Sequence, residues 1–340
     1  MKPRVIIIGG RGLQGRRVAS LLEEALGGPE RIVIAGRRGP VKLNVNDPGT
    51  LEMELRAGDV VIDAAAPYRH DPRPLVRICV NAHAHYIDLS QDPYFQAKIK
   101  EFVHALGEHP FKSAIMTGCS TVPGMVDALM PLLARPGVRS ISQSIMLSMG
   151  TRNKLSSAML YSLLRPLGRR YNGGRWWYET LVRKLGDGRW RRYGGFPATW
   201  PLSQIQFWSG FDRRAYWYLL RLFAVVLPLV PDQVLWRLCQ ISRPFVSVLR
   251  LFGTHRSSLR IEIIDEYYKV RAMEVRADKD NLMLPSMPAA WAAKRLLYHH
   301  GTEEAKVGIV TLRDFMTAKD IAGELQEHGH VVQVRREEKF

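Results

Sequence analysis

Gly10, Gly12 and Gly15 stand in the G-x-G-x-x-G spacing inside RVIIIGGRGLQGRRVASLL, residues 4–22. Each glycine answers a separate steric demand of a turn that accepts an anionic pyrophosphate. Gly10 makes the sharp turn, Gly12 lets the backbone come close to the phosphates, and Gly15 lets a helix lie against the strand before it. Val5 to Ile8 is an unbroken apolar run, as in a strand buried on both faces, and from Leu13 the apolar positions Val18, Leu21 and Leu22 recur at helical intervals. The predicted unit is strand, glycine turn, helix. The free N–H groups at the start of that helix favour an anion, and Arg11, Arg16 and Arg17 add positive charge nearby. Glycine turns also arise for purely structural reasons; the strand before this one and the amphipathic helix after it favour dinucleotide binding.

The next elements would complete such a site. A second apolar run, Arg31 to Ala35, ends in Gly36-Arg37-Arg38. An acidic residue about twenty positions past the glycines would bind a ribose 2′-hydroxyl, whereas arginine there accommodates a 2′-phosphate. Arg37 and Arg38 therefore point to NADP rather than NAD, the alternative being solvated loop charges. Val41 to Val45 reads as a short strand, and Asp47-Pro48 as the start of a helix running to about Arg56. Val60 to Asp63 is a further core strand, followed by Ala64, Ala65 and Ala66, whose small side chains leave room for a flat cofactor that Pro67 and Tyr68 would cover. A packed alanine turn without a ligand is the other reading of those residues. Asp88 and Ser90 close a short strand at Tyr86 to Leu89. Cys119 and Thr121 follow a strand at Ser113 to Thr117, and Thr121 or Ser120 would cap the next helix. All four sit at the carboxyl ends of strands, the edge where such sheets hold ligands.

At 340 residues and 46% hydrophobic, the chain is long enough for about two domains. Cys79, Cys119 and Cys239 are far apart and odd in number, which excludes a disulfide framework and points to a reducing cytoplasm. The N-terminus enters a core strand directly, without the pattern of a secretory signal, so export is not expected. Most of the net charge of +17 lies in residues 150–260, where 19 Lys and Arg face Glu179, Asp187, Asp212 and Asp232, and where seven of the eight tryptophans also lie. Tryptophan and arginine together describe either a surface meeting anionic headgroups, around Trp176 to Arg192 and Trp217 to Val230, or a substrate-domain core with a solvated rim. The run Ala215 to Val230 is too short and too broken to span a bilayer. Nucleic acid is not expected as a partner, because the basic residues mix with apolar aromatic runs and no binding motif is present.

Cys79, His83 and His85 fit no standard metal spacing, so no metal is expected. There is no G-x-S-x-G and no Ser-His-Asp set legible from spacing. Hydride transfer needs none, since the cofactor carries the hard step. Tyr68, Asp88 and Cys119 are the candidates for a proton donor, each more often structural, and no catalytic residue is assigned.

The set GGRGLQG, DVVIDAAAPY, CVNAHAHYIDLS and GCSTVPGMVDAL, in this order across residues 4–135, resembles the saccharopine dehydrogenase superfamily, specifically its saccharopine reductase-like branch; a weaker similarity returns around VRAMEVRAD. The resemblance implies NADPH along Gly10, Gly12, Leu13 and Gly15, with Arg37 near the 2′-phosphate and Pro67 and Tyr68 near the nicotinamide half. It implies substrate near Asp88, Ser90 and the loop from Cys119 to Gly124. The middle third departs from the amino-acid enzymes of that group, which leaves the substrate open between an acidic metabolite and a lipid-like or acyl compound. The expected fold class is α/β. Residues 1–135 form a Rossmann domain with a doubly wound parallel sheet, and 136–284 a basic, Trp-rich α+β substrate domain. Residues 285–340 form C-terminal helices and a strand that pack back on the Rossmann domain. The expected activity is that of an NADPH-dependent oxidoreductase in the cytoplasm, with the inner face of a membrane as the surface its basic segment would meet. A non-catalytic cofactor-binding module is the competing reading, and a homodimer is left open.

Overall fold

The computed structural model describes residues 2–107, 112–134, 136–138, 140–165, 170–171, 174–175, 181–183, 190–192, 205–211, 214–277, 283–299, 302 and 305–339. It divides into two compact units, Met1–Ala128 with Leu282–Ile321, and Leu129–Asn281 with Ala322–Phe340.

The first unit grows from β1 (Val5–Ile8), whose four side chains are fully buried. Burying each is worth roughly 1.5–3 kcal/mol, which is why this apolar run takes the centre of a sheet. The chain continues through α1 (Leu13–Leu26), β2 (Ile32–Ala35), the single turn α2 (Gly49–Glu52), β3 (Val60–Asp63), α3 (Arg73–Asn81), β4 (His85–Asp88), α4 (Pro93–Ala105), β5 (Ala114–Met116) and α5 (Val126–Leu129). Late in the chain, α10 (Met287–His299) and β14 (Gly308–Ile309) return to it. The sheet order is β14-β5-β4-β3-β1-β2, and every pairing is parallel. The order reverses at β1, because β2 adds on one side and β3 on the other. α10 buries Ala289, Ala290, Ala292 and Ala293, and these small residues let it pack closely on α1, β3 and β4.

The second unit has a five-stranded sheet of β6 (Ser140–Met149), β11 (Ile205–Phe211), β12 (Ser257–Asp265), β13 (Lys269–Ala277) and β15 (Val331–Lys339), in the order β11-β6-β12-β13-β15. β11 runs parallel to β6, and the remaining pairs are antiparallel. Two small antiparallel pairs, β7 (Arg170–Tyr171) with β8 (Gly174–Arg175) and β9 (Leu181–Arg183) with β10 (Trp190–Arg192), lie between β6 and β11 in the chain. Four helices belong to this unit: α6 (Ser157–Leu164), α7 (Arg214–Val226), α8 (Asp232–Ile241) and α9 (Arg243–Leu249). Of these, α6, α7 and α8 share a cluster of Tyr161, Phe211, Tyr216, Leu220, Leu227, Leu235 and Cys239, to which β11 contributes Phe211. α11 (Ala318–Glu327) precedes β15.

Three expectations change. Val41 makes only an isolated bridge to Ala35, so no strand forms at 41–45, and β2 is the edge of the sheet. The helix after Asp47 is a single turn with Pro48 at its N-cap and no side-chain cap. The final strand does not pack with the Rossmann sheet: β15 pairs antiparallel with β13, whose other side is taken by β12, so it closes the free edge of the second sheet.

Asp59, fully buried, fastens the start of the first sheet. It accepts from the Arg4 backbone N–H at 2.8 Å, the Arg4 guanidinium at 2.9 Å and the Arg56 backbone N–H at 3.2 Å. Replacing it with alanine would leave a partly buried guanidinium and two backbone donors without their acceptor. Asp59→Ala is expected to lower the unfolding free energy by about 3 kcal/mol, read from urea melts.

Candidate functional site

The turn after β1 is built by backbone crowding. Gly9 has φ +73°, a left-handed conformation, and a Cβ on it would lie 2.8 Å from the Ala64 carbonyl oxygen and 3.1 Å from Ala65 Cα. The sharp turn is therefore made at Gly9, not at Gly10 as the spacing suggested. Gly10 is confined instead by the Ile34 side chain, 2.8 Å from where its Cβ would stand. At Gly15 a Cβ would meet Gly9 O at 2.5 Å and Gly10 Cα at 2.6 Å, so the first turn of α1 rests directly on the glycine turn. Gly12 differs: a Cβ there would have only Gly9 O within 4 Å, at 3.0 Å. The space beside it is open, as the approach of a pyrophosphate requires.

Gly12 is also the N-cap of α1, with no side-chain cap and no acidic residue in the first turn. The N–H groups that open the helix at Leu13 therefore receive no protein side chain at the cap, and a bound phosphate would serve them. Beside the turn lies a groove of about 460 Å³ whose lining includes Gly10, Arg11, Arg16, Ile34 and Pro40, with Glu23 of α1 as its one acid. The Arg16 Nε donates to the Arg11 carbonyl at 2.9 Å, which holds one cation against the loop. The end of β2 is tied to the turn, Gly9 N donating to the Ala35 carbonyl at 2.9 Å, and a Cβ on Gly36 would lie 3.7 Å from Gly9 N; the exposed Arg37 and Arg38 follow it. The structure thus brings Gly10 to Gly15, Arg37, Arg38 and Ala65 to one place, the carboxyl edge of β1, β2 and β3, where the strand order reverses. A doubly wound sheet holds its ligand at this point. The open cradle at Gly12 and the uncapped helix start fit a nicotinamide dinucleotide.

Pro67 and Tyr68 belong to a second network around Asp63, the last residue of β3. Asp63 Oδ1 accepts from Ala65 N at 2.9 Å, and Oδ2 accepts from His70 Nε2 at 2.9 Å and from the Tyr86 hydroxyl at 3.4 Å. The Tyr68 hydroxyl donates to the Asp63 carbonyl at 3.1 Å, and its ring meets Phe95 edge-on at 5.1 Å. Tyr68 is thereby turned back onto the loop it belongs to, and burial, then the charges of Asp63 and Asp88, hold its hydroxyl protonated well above the ordinary range. Burial works to lower the His70 pKa, but the hydrogen bond and charge of Asp63 outweigh it and raise the value. Sequence reasoning missed His70 and gave Asp63 no role beyond ending a strand, since seven residues of loop carry no periodic signal that pairs them.

Asp88, Ser90 and Cys119 also come together. Asp88 Oδ1 accepts from Ser90 N at 2.8 Å and Gly118 N at 3.0 Å, and the Asp88 carbonyl accepts from Cys119 N at 2.7 Å. All three residues are buried, as is Thr121. Ser120 caps no helix, because its hydroxyl donates to the Pro285 carbonyl at 3.1 Å instead. Burial and the charge of Asp88 raise the Cys119 thiol well above its usual value, so it stays protonated. Burial also pushes Asp88 up to about 7, against the lowering contributions of Gly118 N–H, the Thr117 hydroxyl and Ser90 N–H.

No protein-family profile matches the chain. Over 118 residues it is 28% identical to a protein of Mycobacterium tuberculosis provisionally named a trans-acting enoyl reductase, in two strains; the match covers 29% of this chain and 28% of that protein. Saccharopine dehydrogenase (L-Glu forming) of Saccharomyces cerevisiae superposes over 98% of this chain and 99% of its own, with a TM-score of 0.55 at 11% identity. The chain has the saccharopine dehydrogenase fold. The fold that the four sequence motifs imply is thus matched in the backbone.

Two tests follow from this geometry. Gly12→Ala is expected to weaken cofactor binding at least about tenfold with a smaller loss of stability than Gly15→Ala, because a Cβ at 12 meets one backbone atom at 3.0 Å whereas a Cβ at 15 meets three within 2.9 Å. Cofactor fluorescence titration and thermal melts of both variants separate the two. The second test is of pH. The folded protein holds the Asp88 proton up to about 7, while the unfolded chain releases it near 3.8. Between those values the native state binds more protons, so stability is expected to fall as pH rises from about 4 to about 7. Asp88→Asn should flatten that slope in urea melts taken across the range.

Proposed function

We propose that this protein is an NADPH-dependent oxidoreductase. The observation that carries the reading is the uncapped turn at Gly12, with one backbone atom near it and open space otherwise, together with two arginines, and no acid, at the end of β2. Bound there, the cofactor would supply a hydride to a carbon of a C=C or C=N bond. The chain's own residues do the holding: Gly10 to Gly15 and the start of α1 take the pyrophosphate, and Arg37 and Arg38 take the 2′-phosphate. Ala64 and Ala65, small and pressed against Gly9, leave a flat ring its space. The partial likeness to a protein named as an enoyl reductase supports an acyl or lipid-like substrate over an amino-acid conjugate.

A second reading has a specific observation in its favour. Asp88, Ser90 and Cys119 are buried, Asp88 tying the loop after β4 to that after β5, and the half-buried Tyr68 donates its hydroxyl to the Asp63 carbonyl, so the candidate proton donors are turned into the protein rather than toward an open cleft. A module that binds the cofactor without turning it over fits that arrangement. Turnover decides between the two: NADPH oxidation stimulated by enoyl or imine compounds supports the enzyme, and tight binding without oxidation supports the module.

For the cofactor itself, NADPH is expected to bind at least about tenfold more tightly than NADH, and Arg37→Asp to erase most of that preference by placing a negative charge where the 2′-phosphate comes. Fluorescence titration of both cofactors measures it, and equal affinities in the native protein would remove the basis for choosing NADP.

A further inference from the structure

Of the three consecutive helices, α7 and α8 each carry two apolar faces, and α9 carries exposed apolar residues three apart. In α7, Tyr216 and Leu220 turn into the cluster shared with α6, and Leu227 joins them just beyond the helix; Leu222, Val225 and Leu229 lie on another side, with Val225 73% and Leu229 84% exposed. In α8, Leu235 and Cys239 are buried while Val234, Leu238 and Ile241 recur at helical spacing in solvent. In α9, Phe245 is 73% exposed. Single exposed apolar residues are ordinary, but apolar stripes on three successive helices mark a surface that something covers.

The charge of the same segment indicates what covers it. Residues 214–256 hold Arg214, Arg221, Arg237, Arg243, Arg250 and Arg256 and no lysine, with Asp232 as their one acid. Asp232 lies 3.4 Å from the Arg165 guanidinium, which offsets even that negative charge. Arg237 is exposed on α8 beside Val234, Leu238 and Ile241. A second copy seated here by two-fold symmetry would set this basic segment, with its exposed Arg237, against itself. A lipid bilayer with anionic headgroups would neutralise Arg237 and the net positive charge of the segment, and take the exposed leucine, valine and phenylalanine side chains into its interfacial layer. Among the described residues no helix is long and apolar enough to cross a membrane, so these helices would lie on the surface.

We infer that α7, α8 and α9 dock this protein on an anionic bilayer. The inference goes beyond the oxidoreductase reading and stands without it. Cosedimentation with vesicles of phosphatidylcholine, with and without about 30% phosphatidylserine, tests it in the full chain. Binding is expected only to the anionic vesicles, and raising NaCl from about 0.05 to about 0.5 M should weaken it at least about tenfold, since the screening length falls from about 14 Å to about 4 Å over that range. Leu229→Glu and Phe245→Glu, both at solvent-exposed positions, should each weaken it at least about tenfold with unchanged melting temperature and unchanged NADPH binding. If a glutamate variant melts early, Leu229→Ser and Arg237→Gln carry the same comparison. Absence of anionic-vesicle binding at low salt overturns the inference, as does binding that the folded variants leave unchanged. A dimer in sedimentation equilibrium that Leu229→Glu dissociates, without vesicle binding, would assign the surface to self-association instead.

Discussion

The closest backbone approach in the first unit lies where Gly9, Gly15 and Ala64 meet. Side chains are excluded there on two sides: a Cβ on Gly9 would enter the end of β3, and one on Gly15 would enter the turn itself. The helix can start directly on the strand only because both positions are bare, and that start aims its first N–H groups past Gly12 into open space. The crossing of β1 into α1 and the anion-binding geometry are thus one constraint. The fully buried β1, flanked by β2 and β3 in parallel register, supplies the rigid floor on which the turn is held.

From that floor the carboxyl edge divides into two kinds of surface. Around β1 and β2 the polar groups are left to meet a ligand: an uncapped helix start, an exposed pair of arginines and a groove beside them. Around β3, β4 and β5 the polar groups are turned inward and largely bonded to neighbouring loops, although Asp88 Oδ2 is buried without a hydrogen-bond partner among the described residues. Asp63 gathers His70, Tyr86 and the Ala65 N–H, and Asp88 gathers Ser90 and Gly118. In a low-dielectric interior such carboxylates are retained only when donors surround them, and here the donors are the loops that follow each strand. Asp63 and Asp88 therefore shape the edge by fixing loops 64–72 and 117–121 rather than by facing outward.

The second unit shows how one composition serves two environments. The apolar residues of α7 and α8 are numerous enough to fill a core on one face and still leave stripes in solvent, and the excess of arginine over acid sits in the same stretch. Trp236, from the tryptophan-rich segment, packs edge-on against Tyr161 at 5.6 Å and so joins that core, while Trp176, Trp177 and Trp200 lie outside the described residues.

The sequence by itself determined the elements whose signal is local. Val5 to Ile8 as a buried strand, the glycine spacing, the helix after it and the alternating strands at 257–265 and 269–277 follow from periodicity and from residue types that no other conformation accommodates. Arg37 and Arg38 were legible in the same way, as charges at a fixed offset from the glycines. What only the tertiary structure decided depends on residues distant in the chain or on the identity of a neighbour. The left-handed turn falls on Gly9 because Ala64 stands beside it, and Val41 to Val45 forms no strand beyond the single bridge at Val41. Ser120 gives up capping because Pro285 offers a carbonyl, and His70 matters because Asp63 is folded against it. The alternation in β15 marked it as a strand, but period two carries no address; the choice of β13 as its partner rests on matching sheet edges, a property of the assembled unit and not of the segment.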